Sequence, residues 1–333
     1  MCPHSVSAPP SGTGPIPVID IGPLRDGSDP LRVAQALHRA SHDVGFLYVS
    51  NHGIDPTLLD DARSQALEFF RQPQATKQAV AISPRHRGFL AQGTARMHDG
   101  ARPDLKESLV WGYEDDAGHT PEDHALRGAN RWPANMPLLR RSALAFSDQA
   151  DQVARHLLCG FALGLNLDPG FFLTRSDRPM SRAAFVYYPP QPPTATAGDA
   201  AYGVAPHTDF GVLTVLCQDD VGGLEVQDAL GRWVAAPPIP GTLVVNVGDL
   251  LARWTRNACR STPHRVVNRS ARERLSLVLA FDPNPETSVD PRQVFGNADP
   301  ADEPITCGDY LEWRFAKSFD YRSKHGAARA PLT

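Results

Sequence analysis

His207, Asp209 and His264 constrain this chain more than any other residues in it. The first two stand in His207-Thr208-Asp209, at the head of a strand-like run from His207 to Leu216 (HTDFGVLTVL). The third stands in Ser261-Thr262-Pro263-His264-Arg265-Val266-Val267. Residues i and i+2 of a strand project from one face, so His207 and Asp209 can grip one ion together. Two imidazoles and a carboxylate on one side of a metal, with the other side open, form the facial ligand set of non-heme Fe(II) oxygen-activating sites.

Shortly after His264 comes Arg274-Leu275-Ser276, a fixed cation and hydroxyl suited to holding a carboxylate. The polar stretch Asn268 to Glu273 between them has turn character. The pattern predicts a β-hairpin with arms Ser261 to Val267 and Arg274 to Phe281, the distal metal ligand on one strand and the anion anchor on the next. Of the 12 His, only His207 is followed two residues later by Asp. Arg-x-Ser alone means little, since Arg140-Arg141-Ser142 matches it. The ordered set is what carries the signal.

Several further segments fall in the same order as in one known family. Ile16 to Ile21 (IPVIDI), Ala40 to Gly53 (ASHDVGFLYVSNHG), Phe185 to Pro190 (FVYYPP), Asp219 to Val226 (DDVGGLEV) and Asn246-Val247-Gly248-Asp249 precede or separate the ligand segments. With them the chain resembles the Fe(II)- and 2-oxoglutarate-dependent oxygenases, in the branch similar to isopenicillin N synthase, from about Ile16 to Arg322. The resemblance implies a mainly β fold with flanking helices around a double-stranded β-helix (jelly-roll) core. It implies Fe(II) held by His207, Asp209 and His264, with 2-oxoglutarate as co-substrate bound by Arg274, Ser276 and Tyr188, and O2 as the oxidant. The implied reaction oxidises a small molecule, most simply by hydroxylation, and releases succinate and CO2; no residue beyond the metal centre is assigned a catalytic role. Around the substrate, the resemblance points to the tract from Arg87 to Ser108, hence to Arg96 and Lys106, and to Phe281.

Composition narrows the function classes. At 333 residues the chain can bury a sizeable core. A formal charge of −4 does not fit a dedicated nucleic-acid protein. No run of 18 or more apolar residues is present, so no membrane span is expected. Five scattered cysteines without a Cys-x-x-Cys pair fit a reducing cytoplasm. No obligate protein partner is indicated. The arginine-rich segment from Arg253 to Arg274 reads as a solvated face.

Periodicity and punctuation give the organisation. Residues 1–14 read as a disordered leader, and 15–333 as one oxygenase domain. Within it, 15–137 is an N-terminal helical and substrate-lid region, 138–170 a long helix, 180–284 the metal-binding jelly roll, and 285–333 a tail with a short helix at Asp309 to Ser318. Helices are expected at Pro30 to Val44, with Leu31 on its buried stripe and Asp29 as N-cap, and at Asp55 to Phe70; strands at Gly45 to Ser50 and Glu107 to Tyr113.

The Arg-x-Ser anchor leaves the co-substrate open. In isopenicillin N synthase and the plant ethylene-forming (ACC) oxidase a similar pair serves other carboxylates, and a bacterial relative makes ethylene from 2-oxoglutarate itself. A receptor that binds a small molecule without turnover need not keep a complete triad, as this chain does. Substrate identity, and the choice among hydroxylation, desaturation, cyclisation and epoxidation, are not written in these motifs.

Overall fold

The computed structural model describes residues 16–94, 104–115, 117–191, 202–268, 270–297, 299 and 302–323. The expected leader at 1–14 and Arg96 lie outside them. Twelve strands build the centre: β1 (Val18–Asp20), β2 (Phe46–Ser50), β3 (Gly88–Leu90), β4 (Glu107–Gly112), β5 (Arg182–Tyr188), β6 (Val204–His207), β7 (Leu213–Gln218), β8 (Leu224–Gln227), β9 (Trp233–Ala235), β10 (Leu243–Val247), β11 (His264–Val266) and β12 (Arg274–Phe281). Eight form one sheet in the order β1-β2-β10-β7-β12-β5-β4-β3. A smaller sheet, β6-β11-β8-β9, faces it. This is the mainly β, jelly-roll arrangement that the motifs imply.

Strand alternation decides what each face of the large sheet does. On β12, Leu275, Leu277, Leu279 and Phe281 join the main core with the helices, whereas Val278 and Ala280 line a cavity on the other face. The helix Pro137–Gly164 supplies much of that core through Ala143, Phe146, Ala150, Leu157, Leu158 and Phe161, spaced at three and four residues along one stripe. Between the two sheets lies a second apolar cluster, with Phe46, Tyr48, Tyr188, Val226, Val244 and Val266. Helix starts follow the sequence: Asp29 accepts from the Arg32 amide and Asp55 from the Thr57 amide. Leu31, placed on the buried stripe by its spacing, is 60% exposed; Val33 takes the inward position. No helix among the described residues is long and apolar enough to cross a membrane.

Two local expectations are corrected. The predicted hairpin does not exist: β11 pairs with β6 and β8 in the small sheet, and β12 with β5 and β7 in the large one. Both edges of each strand are already filled, so the chain between them crosses from sheet to sheet. Asn268 holds that crossing, donating through Nδ2 to the carbonyls of Pro189 and Arg272 and accepting from the Ser270 amide. Likewise the run from His207 to Leu216 is not one strand. β6 ends at His207 and β7 begins at Leu213. The intervening carbonyls of Asp209, Gly211 and Val212 accept from the amides of Asp249, Leu250 and Gly248. A Cβ on Gly248 would lie 2.1 Å from the Gly211 carbonyl oxygen, so this close passage needs glycine.

Phe185 is fully buried between Trp111 and Phe146, with ring centroids 4.6 and 6.3 Å away. Truncating it to alanine is expected to destabilise the fold by about 3–5 kcal/mol. Denaturant unfolding followed by circular dichroism measures this as a lower midpoint with unchanged slope.

Candidate metal centre and co-substrate anchor

The small sheet brings two of the three ligands face to face. His264 is the register partner of His207, and their ring centroids are 4.2 Å apart. Asp209 follows in the loop after β6 and reaches the same point. Its Oδ1 lies 3.7 Å from His207 Nε2 and 3.6 Å from His264 Nε2. One ligand atom from each of the three residues falls within 4.8 Å of the others.

Each ligand is oriented by a second bond. His207 Nδ1 donates to the Ala205 carbonyl at 2.8 Å, and His264 Nδ1 to the Thr262 carbonyl at 3.2 Å. A carbonyl accepts only from a protonated nitrogen, so both Nε2 lone pairs face the centre. Asp209 Oδ2 accepts from Thr214 Oγ1 at 2.5 Å and Asn246 Nδ2 at 2.7 Å, which leaves Oδ1 for an ion. Burial, followed by the neighbouring His264, holds the His207 imidazole well below its usual range. Burial pushes the Asp209 carboxyl up, but the two imidazoles and the bonds from Asn246 and Thr214 outweigh it and bring it below the usual carboxylate value. An imidazole at His207 held neutral beside the ionised Asp209 carboxylate is in the donor state that a divalent cation needs. The residues therefore fit Fe(II).

Behind this centre stands Asp249. Its Oδ1 accepts from Ser261 Oγ at 2.7 Å, and its Oδ2 from Thr208 Oγ1 at 3.2 Å and Tyr310 hydroxyl at 3.1 Å. Arg314 Nη1 adds an ion pair at 3.0 Å. One carboxylate thus ties the loop of His207 and Asp209, the segment leading to His264, and the C-terminal helix Cys307–Ser318.

Arg274 and Ser276 share the inner face of β12, and each is 1% exposed. Arg274 Nε donates to the Gly222 carbonyl at 2.6 Å and Nη2 to Gln218 Oε1 at 3.4 Å. The guanidinium carbon sits 4.6 Å over the Tyr188 ring. Arg274 Nη1 and Ser276 Oγ are buried and have no hydrogen-bond partner. Two orphaned donors on one face would leave desolvated polar groups unbalanced unless an acceptor joins them. They fit a carboxylate. Tyr188 is brought to this site with its ring under Arg274; among the described residues its phenol has no hydrogen-bond partner.

The remaining substrate candidates divide. Lys106 lines a cavity of about 210 Å³ that His207 and Asp209 also line. Phe281 does not line it; the ring lies in the main core with the Arg155 guanidinium 5.6 Å over it. Arg96 lies outside the described residues. Sequence reasoning missed other parts of the wall: His86, Phe210, Phe315 and Phe319. Phe315 and Phe319 come from the C-terminal end of the chain and pack edge-on and tilted against His86, whose Nδ1 shares a hydrogen bond with the Tyr321 hydroxyl.

Residues 16–135 match the family described as non-haem dioxygenase in morphine synthesis, N-terminal, and residues 180–283 match the 2OG-Fe(II) oxygenase superfamily. The chain is 34% identical over 291 residues to validamycin A dioxygenase of Streptomyces hygroscopicus subsp. limoneus, covering 84% of this chain and 80% of that one. It is 32% identical over 299 residues to homoarginine-6-hydroxylase 2-ODD-C23 of Glycine max, covering 83% and 88%. Among solved structures, a full-length Neurospora crassa protein in complex with alpha-KG and thymine superposes with a TM-score of 0.79 at 29% identity, covering 90% of this chain and 96% of that one.

Replacing His207 or Asp209 by alanine is expected to abolish Fe(II) binding, since two ligands hold the ion poorly. Asn246→Ala keeps all three ligands but releases Asp209 Oδ2, and an affinity lower by about 10–100-fold is expected. Anaerobic titration against a competing chelator separates the two outcomes.

Proposed function

The chain belongs to the 2OG-Fe(II) oxygenase superfamily, and from that premise we propose that His207, Asp209 and His264 hold its iron while Arg274, Ser276 and Tyr188 seat its co-substrate. The protein is an Fe(II)- and 2-oxoglutarate-dependent dioxygenase that oxidises, by hydroxylation, a small molecule. With iron bound, the site supplies the chemistry by which O2 oxidises 2-oxoglutarate to succinate and CO2 and delivers one oxygen atom to the substrate.

The observation that supports the residue assignment best is the pair of buried, unpartnered donors, Arg274 Nη1 and Ser276 Oγ. A planar guanidinium meets a carboxylate with two parallel N–H bonds. Here Nε is held by Gly222 and Nη2 by Gln218, so the unpaired Nη1 amino group is left for an incoming oxygen. The Tyr188 ring beneath limits the guanidinium to one plane. At the metal end, Asn246 and Thr214 keep Asp209 from rotating, and the carbonyls of Ala205 and Thr262 fix both imidazoles. The inner face between them is apolar, with Val186 and Val278 reducing the water that could compete.

An oxidase that consumes no 2-oxoglutarate, or an ethylene-forming enzyme, is not favoured by the company this chain keeps, since the matched Neurospora crassa structure holds alpha-KG. That structure also holds thymine, a small molecule, which supports a metabolite-sized substrate in this chain. The described cysteines Cys159, Cys217, Cys259 and Cys307 are free thiols, in keeping with action in a reducing cytoplasm.

Fe(II) and 2-oxoglutarate added without oxygen should give a metal-to-ligand charge-transfer band in the visible. Arg274→Ala should bind iron normally and lose the band at the same 2-oxoglutarate concentration, recovering it only at much higher concentration. A parent protein with bound iron and no band, or a variant as tight as the parent, overturns the assignment.

A further inference from the structure

We propose that the substrate is a small carboxylate about one ring in size, and that Lys106 receives its anionic group in the cavity beside His207 and Asp209. This rests on the function proposed above and extends it to the substrate's chemical class.

Size comes first. The cavity has a volume of about 210 Å³ and is lined by His207 and Asp209 but by none of Arg274, Ser276 or Tyr188. The anchor side chains lie outside it, while Val186 and Val278 adjoin both it and the space between the anchor and the metal ligands. An apolar cavity of about 150 Å³ is known to hold benzene. This one has room for a single ring with short substituents. Leu90, Val110, Val278, Phe210, Phe315 and Phe319 offer the apolar contact such a body needs.

Charge is the second argument. An ammonium has three donors. Lys106 Nζ lies 3.3 Å from Asp104 Oδ2, its one recorded partner among the described residues. Asp104 is 1% exposed, and its Oδ1 accepts from the Ala205 amide at 3.1 Å, on the strand that ends in His207. Asp104 is thus a positioning residue: it attracts the ammonium by charge, with no hydrogen bond recorded at its Oδ2, and leaves the donors over.

Apart from the Asp209 carboxylate at the metal ligands, the other charges near the cavity are matched or add to the same sign. Arg182 pairs at 3.0 Å with Asp282, which is fully buried, and stacks 4.7 Å over Phe315. Arg322 has Glu312 at 3.8 Å. Arg87 is 3% exposed and donates to the carbonyls of Arg85 and His86. No carboxylate among the described residues lies within ion-pair distance of it. His86 stays neutral, because burial and then Arg182, Arg87, Arg322 and Lys106 push its imidazole well below the usual range. A positive surplus therefore surrounds the His86 end of a mostly apolar cavity. A buried anion is stable only beside such a partner, and a neutral ligand would leave the surplus unanswered.

The test uses full-length enzyme with Fe(II) and saturating 2-oxoglutarate, without oxygen. The probes are benzoate, cyclohexanecarboxylate, their amides, and the two-ring 2-naphthoate. Binding is read as a change in the charge-transfer and ligand-field bands and by calorimetry. The one-ring carboxylates are expected to bind, with the amides weaker by about tenfold or more, the loss of one charge-assisted hydrogen bond. Naphthoate should bind more weakly than benzoate. Lys106→Met should erase the preference for the acids while leaving the 2-oxoglutarate band intact, and Lys106→Arg should restore part of it. Equal binding of acids and amides, binding of none, naphthoate as tight as benzoate, or a preference that survives Lys106→Met overturns the proposal. Absence of the 2-oxoglutarate band in the parent would instead count against the co-substrate assignment.

Discussion

The Asp209 carboxylate divides its two oxygens between the fold and the proposed metal position. Oδ2 is occupied by Asn246 and Thr214, so Oδ1 is turned to the two imidazoles. Asn246 and Thr214 come from β10 and β7, adjacent central strands of the large sheet, whereas both histidines come from the small sheet. The proposed metal site is therefore a seam between two sheets. Asp249 closes the seam from behind, since its two oxygens reach the loop after β6, the segment before β11 and the C-terminal helix. Breaking it would leave hydroxyls and a guanidinium unmatched in a poorly hydrated place, so the network is held by the cost of leaving any member alone.

From that seam the large sheet distributes the rest. Its outward side chains make the core with the long helix, and its inward side chains make the chemistry. β12 shows the division within eight residues: Arg274 and Ser276 at the anchor, Val278 and Ala280 at the cavity, and Leu275, Leu277, Leu279 and Phe281 in the core. Stability and binding are thus carried by alternate residues of the same strand. A rigid sheet aims the inner set because its outer set is buried.

This alternation explains much of what the sequence disclosed and what it hid. Arg274 and Ser276 are two apart, and the structure keeps them on one face. The same parity, applied seven residues on, excludes Phe281 from that face; the information was present in the sequence. The hairpin error is of another kind. A polar turn between two strand-like arms is equally compatible with pairing between them and with a crossing between sheets. Only β8 and β6 on one side, and β5 and β7 on the other, decide it, and those partners are distant in sequence. Asp209 left the strand for a similar reason, because its carbonyl is claimed by the Asp249 amide. His86 was unreadable because its partner, Tyr321, lies 235 residues away. The starts of the expected helices, set by caps and local spacing, were legible to within a residue or two, whereas the long helix stops at Gly164, short of the expected 170.

The two cations near the metal centre differ in ways their chemistry explains. Arg274 is stacked on Tyr188, bonded to Gly222 and Gln218, and left with its Nη1 amino group unpaired. Such a group has a single orientation to offer, which suits a co-substrate that is the same in every turnover. Lys106 is a compact charge on a flexible stem, paired at its tip with Asp104 and lining the cavity. A point charge tolerates variation in where the acceptor sits. Placing the rigid cation on a central strand and the adaptable one on the edge of the N-terminal region separates the fixed half of the reaction from the half that can change. Substitutions in the tract around Lys106 can therefore alter what is bound without touching Arg274, because the two cations sit on different segments and pair with different residues.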